Sequence, residues 1–296
     1  MADKFTVILS QSRGDDPKRR RLEEDLIARL AERPGLAVTV VPHLYDLAPD
    51  GPGVNFLRSV PGDMIVLGWL YPRAAYWILS GNDIKGRMGR TSSAKMDMSA
   101  AGSSDPVAPG ELPDRTIWCL DLRMHDRPEP FLAEVEPIVP AVADGADVAS
   151  DTVVNRVQET ATSRWYPVID FERCTNCLEC LNFCLFGVFS VDESELLLIE
   201  QPDACRNGCP ACSRICPAAA IMFPQHKDPS IAGDPQAAPQ GLKLDLSQLF
   251  GGADVQGTAA AERDRALAEK QQETTEQPSE KGELDHLVDE LDDLDI

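Results

Sequence analysis

The sequence predicts three successive parts: a small α/β layer with a parallel sheet, a compact α+β module, and a disordered acidic tail. Three observations carry that reading. Short β-branched runs alternate with amphipathic helical segments through the first half of the chain. Eight of the nine cysteines crowd into two related runs between positions 174 and 217. Beyond residue 250, fourteen Asp and Glu face four Lys and Arg, with no aromatic residue among them. The expected division is 1–145 for the α/β domain, with a long loop at 86–114, and 146–165 for a connector. The cysteine module then spans 166–228, and 229–296 is linker and tail.

The α/β elements follow one another in order. Phe5–Ser10 (FTVILS) reads as a buried strand. Asp16 can cap a helix that has Pro17 at its first position, where the missing N–H is harmless. Leu22, Leu26, Ile27 and Leu30 fall on one face of that helix, and Pro34-Gly35 ends it. Leu36–Val41 is a second strand, 53–60 a short helix, Met64–Trp69 a third strand and Pro72–Ser80 a further helix. Residues 86–114, rich in Gly, Ser, Ala and Pro, show no period and read as a long loop suited to docking. Thr116–Leu122 is a fourth strand, and Pro130–Pro140 is weakly helical. The alternation points to a flavodoxin-like or half-Rossmann sheet.

That layer lacks the familiar phosphate signatures, GxGxxG and GxxxxGK[ST]. Ser10, Ser12 and Gly14 fall where a phosphate loop would sit, but Asp15 and Asp16 would repel the ligand, so a loop with an N-cap is the preferred reading. The basic run Lys18, Arg19, Arg20 and Arg21 reads as a solvated helix face. Cys119, between Trp118 and Leu120, reads as a buried structural thiol. His43, His125, His226 and His286 are far apart and receive no role. No catalytic residue is assigned.

The chemistry sits in the cysteines. Cys174, Cys177, Cys180 and Cys184 stand at two-two-three spacing, and Cys205, Cys209, Cys212 and Cys216 form a second run ending in Cys-Pro. Such density of soft thiolates favours iron and sulfide over zinc, which usually pairs one CxxC with a distant second. After each run comes a short helix and an apolar strand, Val188–Val191 and then Ile221–Phe223, so the unit occurs twice. Leu196–Ile199 pairs back on the first of these strands across a turn at 192–195.

The stretch resembles a bacterial-type two-cluster 4Fe–4S ferredoxin domain. The resemblance implies one cluster on Cys174, Cys177, Cys180 and Cys216, and another on Cys205, Cys209, Cys212 and Cys184. It also implies an apolar shell of Leu178, Phe183, Phe186, Val188, Ile215, Ile221 and Phe223. Two departures stand out. Leu185 replaces the usual proline after Cys184, and the second run begins Cx3C, with Arg206, Asn207 and Gly208 between its ligands.

A net charge of −21 opposes nucleic acid and anionic membrane as partners. It suits a redox partner with a basic docking surface. No apolar run reaches the length of a membrane span, and the first residues carry no signal-peptide pattern, so a cytoplasmic protein is expected. Leu242–Phe250 could add a strand or dock. Leu284, Leu287, Val288, Leu291 and Leu294 share one helical face in an otherwise acidic tail. The expected function is electron transfer through two 4Fe–4S clusters, as a dedicated carrier or as a subunit of a redox complex. The alternative is a redox enzyme whose α/β domain binds a flavin, nucleotide or small substrate.

Overall fold

The computed structural model describes residues 4–91, 113–139, 154–160, 162–235 and 255–276. Its larger layer is a six-stranded sheet. Strands β1 (Phe5–Ser10), β2 (Leu36–Val41), β3 (Met64–Gly68), β4 (Arg87–Met88), β5 (Thr116–Asp121) and β6 (Val154–Arg156) lie in the order β4-β5-β3-β1-β2-β6. All neighbours are parallel. Central Ile8 pairs with Thr39 on one side and Val66 on the other. The middle strands are apolar on both faces because helices cover both.

Helix α1 (Pro17–Ala31) starts as expected: Asp16 accepts from the Lys18 N–H, and Pro17 opens the first turn. Leu22, Leu26, Ile27 and Leu30 bury against β1, β2 and α4 (Pro128–Val135). The opposite face is covered by α2 (Pro52–Ser59) and α3 (Pro72–Gly81). Chain order β1, β2, β3 places β2 and β3 on opposite sides of β1, so the direction of winding reverses between β1 and β3.

Two strands lay hidden in segments read as loop and connector. β4 opens the 86–114 stretch and pairs with Thr116 and Ile117, whereas 92–112 lies outside the described residues. β6 extends the sheet edge within 146–165, against Val38–Val40. Both are too short to show a period, and only their neighbours define them.

The smaller module holds β7 (Val168–Ile169), α5 (Glu179–Phe183), β8 (Phe189–Val191), β9 (Leu197–Ile199), α6 (Ala211–Ile215), β10 (Ile221–Met222) and α7 (Pro229–Ala232). β7 and β10 pair antiparallel, as do β8 and β9. Tyr166, Val168 and Met222 belong to the same apolar core as Tyr45, Ala74 and Trp77 of the α/β layer. Polar contacts join the two parts as well. Tyr45 and Tyr166 stack at 4.3 Å, the Tyr45 hydroxyl donates to the Tyr166 carbonyl, and the Tyr166 N–H donates back at 2.7 Å.

The tail departs from expectation. Val255–Glu276 forms helix α8, where disorder was predicted from composition. Ala266 explains this: its small side chain packs with Cys209 and Ala211 and lets the helix lie close to the module, a contact that composition does not register. Residues 242–250 and the leucine-bearing end at 284–294 lie outside the described residues.

Candidate metal centre

The eight clustered cysteines sort into two recesses. Cys174, Cys177, Cys180 and Cys216 line one, beside Leu178, Leu197 and Ile221. Cys184, Cys205, Cys209 and Cys212 line the other, beside Phe183, Phe186 and Val188. Each recess thus takes three cysteines from one run and the fourth from the other. Among the described residues no three His, Cys, Asp or Glu side chains converge on a site for a single metal ion. A tetrahedral zinc would draw each sulfur to about 2.3 Å from the metal.

The duplication explains the sorting. α5 and α6 are both five residues long, and each carries a cysteine at its second position, Cys180 or Cys212. Each ends on a cysteine in extended conformation, Cys184 at φ −73° and Cys216 at φ −67°. That cap turns the last cysteine of each run away from its own loop. Leu185 therefore leaves the geometry at Cys184 matched to that of Cys216, which proline follows. In the first loop Asn176 and Leu178 adopt positive φ of 54° and 60°. Asparagine tolerates this conformation, whereas leucine there is strained. In the second loop Gly208 lies at φ 80°, the conformation its lack of a side chain permits.

The neighbourhood sets the electrostatics. Burial pushes the Cys180 thiol up to about 12, and neighbouring Cys216 adds to the rise. Burial raises Cys212 well above the ordinary thiol range, with Cys205 and Cys184 contributing. Cys174 and Cys209 are raised by burial too, and backbone N–H groups of Asn176 and Ala211 oppose the rise. The Ala220 N–H points to Cys216 Sγ at 3.3 Å. Four thiolates in an apolar recess repel one another and demand compensating positive charge, and soft iron suits such donors. The eight donors therefore fit iron–sulfur groups.

Of the expected shell, Val188, Ile221 and Phe223 are buried, whereas Leu178 and Phe186 are partly so. Sequence reasoning missed Trp165, which stacks on Phe223 at 5.1 Å and donates from Nε1 to the Cys209 carbonyl at 3.2 Å. It also missed Arg73, whose Nε donates to Asp170 Oδ2 at 2.5 Å and whose Nη2 donates to the Ala219 carbonyl at 2.9 Å. Asp170 carried a readable signal. An aspartate accepting from the N–H two residues on, here Glu172 at 3.0 Å, is an Asx turn. Nothing local marks Arg73.

The serine loop of the α/β layer is already satisfied by the protein itself. Buried Glu23 accepts from the Ser12 N–H at 2.6 Å, from Trp69 Nε1 at 2.8 Å and from Arg20 Nη1 at 3.0 Å. A carboxylate of the chain stands where a phosphate would be held. Ser10 Oγ accepts from the Leu44 N–H at 2.8 Å. Of the basic run, Arg20 turns inward, while Lys18 and Arg19 border an open cleft of about 510 Å³ with Trp69, Arg123 and His125. Cys119 is buried and its thiol pushed up to about 12, as befits a structural residue. His43 is buried against Gln225, His226 accepts from the Asp228 N–H, and His286 lies outside the described residues.

Fold and recesses together define a protein with a thiolate-rich module fused to an α/β layer. A 66-residue stretch of the chain is 41% identical to an uncharacterized ferredoxin of Methanocaldococcus jannaschii, covering 22% of this chain and 44% of that protein. A 64-residue stretch is 38% identical to the pyruvate synthase subunit PorD of the same organism, covering 21% of this chain and 72% of that subunit. Through this stretch the chain belongs to the ferredoxin family. The chain spans less than half the length of the first of these relatives. No protein-family model matches the chain, and no solved structure does. Among the described residues no helix is long and apolar enough to cross a membrane.

Proposed function

We propose that the chain carries electrons through two 4Fe–4S clusters, in the cytoplasm, for a dedicated redox partner or within a redox complex. Cys174, Cys177, Cys180 and Cys216 would hold one cluster, and Cys184, Cys205, Cys209 and Cys212 the other. The observation that carries this reading is the partition of eight cysteines into two four-thiol recesses, with one cysteine of each run crossing over. When bound, the clusters supply one-electron redox chemistry. The chain's part is to present thiolates, aim N–H groups such as that of Ala220 at them, and exclude water with Val188, Ile221 and Phe223.

A partner with a basic docking surface fits the net charge of −21. The similarity to PorD, by its name a subunit of pyruvate synthase, favours membership of a complex. Anaerobically purified protein should contain about eight iron and eight sulfide per chain and give an EPR signal on reduction. About four iron, or a colourless zinc protein, would overturn the reading.

A second reading, a redox enzyme with a small ligand on the α/β layer, is favoured by the open cleft. It lies past the carboxyl ends of β3 and β5, beside the point where the winding reverses, where doubly wound sheets bind ligands. Lys18, Arg19 and Arg123 would meet an anionic group there. Release of an organic cofactor from purified protein, with flavin-type absorbance beside the iron–sulfur band, would establish this reading in place of the simple carrier.

A further inference from the structure

The two cysteine recesses are alike in ligands but differ in what covers them. α8 lies across the recess of Cys184, Cys205, Cys209 and Cys212. Ala266, 6% exposed, packs with Cys209 and Ala211, and Phe183 and Phe186 border the same contact. Arg214 of α6 donates from Nε to Glu262 of α8 at 2.6 Å, which ties the two helices together. Arg263 lines the recess itself, with its guanidinium 4.6 Å over the Phe183 ring. Its ion-pair partner Asp264 is 61% exposed, so water screens that carboxylate far more than it screens the cation. Among the described residues no α8 residue lines the other recess, and Cys177 is exposed.

We infer that the two clusters have unequal roles: the one on Cys174, Cys177, Cys180 and Cys216 exchanges electrons with the partner, and the one on Cys184, Cys205, Cys209 and Cys212 is an inner site sealed by α8 and raised in potential by Arg263. This rests on the two-cluster reading above. One electron passes from a one-electron donor protein at the outer site to the inner one, with no bond made or broken and no proton moved. A reduced cluster is one charge more negative than an oxidised one, so a nearby cation in a water-poor recess favours reduction. Electron exchange needs close approach by the partner, which the exposed edge at Cys177 allows and α8 blocks at the other recess.

The test uses full-length protein, purified anaerobically. Iron is counted first: wild type, the Arg263 variants and Ala266→Asp should each carry about eight, whereas Cys177→Ser removes a ligand and alters the outer cluster alone; a lower count in wild type sinks the two-cluster reading by itself. EPR-monitored redox titration then resolves the two midpoints, with Cys177→Ser marking the outer one. Arg263→Gln should shift only the inner midpoint downward, and Arg263→Lys should restore it. Ala266→Asp should unseat α8 and speed loss of about four of the eight irons to a chelator by about tenfold or more, leaving the other four unchanged. Equal movement of both midpoints, no movement of either, or an inner-cluster iron loss that Ala266→Asp leaves unchanged would overturn the inference.

Discussion

Arg73 shows how much one side chain can hold. It projects from α3 of the α/β layer and is 4% exposed. Two of its contacts reach the two chain segments that bracket the first recess. Asp170 begins the turn that delivers Cys174, whose N–H donates to the Asp170 carbonyl at 2.9 Å. Ala219 directly precedes Ala220, the residue whose N–H meets Cys216 Sγ. Removing the guanidinium leaves the Asp170 carboxylate buried without its main partner, a loss of about 3–5 kcal/mol. Arg73→Ala should therefore lower the melting temperature and selectively deplete iron from the half of the module bearing Cys174. Arg73→Lys, with charge but no planar fork, should fall between. Wild-type iron content and melting in Arg73→Ala would refute this positioning role.

At the scale of elements, α1 shows a helix anchored by polar contacts as well as by its apolar stripe. Glu23 is 1% exposed and gathers three donors from the β1–α1 loop, α1 itself and the end of β3. Truncating it strands the Ser12 N–H and the Trp69 indole N–H inside the fold, at about 1–3 kcal/mol for each orphaned group. Glu23→Ala should lower the denaturation midpoint by that order, and Glu23→Gln by less, since its amide oxygen still accepts. A guanidinium titration of both variants checks this, and an unchanged midpoint for Glu23→Ala would show that water replaces the carboxylate. Helix α8 makes the complementary point. Its acidic composition predicts a solvated tail, yet Ala266 is buried against Cys209 and Ala211 of the module. Periodicity of large apolar residues was absent, and small ones supplied the contact.

The whole molecule behaves as one packed body where its parts meet. Tyr166, Val168 and Met222 share a core with Tyr45, Ala74 and Trp77, so unfolding of the α/β layer strips cover from the module. His43 sits at this junction, 5% exposed, with Nε2 3.2 Å from Gln225 Nε2. Burial lowers its pKa from 6.5 to about 4, Asp46 opposes the shift, and Arg13 and Arg19 reinforce it. The folded state thus prefers the neutral ring. Its contribution is full above pH 6.5 and is lost progressively as the pH falls toward 4. By pH 5 the loss is about 2 kcal/mol. The melting temperature of wild type should drop more between pH 7 and pH 5 than that of His43→Asn, which cannot take up the proton. Parallel profiles would exclude His43 as the source.

The four main strands, the Asp16 cap, the α1 stripe and the cysteine runs were legible in the sequence because each is a local pattern: β-branched runs, a cap before proline, a helical period, a ligand spacing. Gly208 was legible for the same reason, since only its own backbone demands glycine. By itself the sequence determined a parallel α/β layer joined to a duplicated thiolate module. Only the tertiary structure decided what depends on residues far apart in the chain. β4 and β6 are too short to exist without a neighbour. Arg73 reaches Asp170 across 97 positions, and α8 finds its seat on α6 through Arg214 and Glu262, 48 positions apart. Pairings at such separations leave no local periodicity, because the contact that stabilises them forms only once the chain has closed.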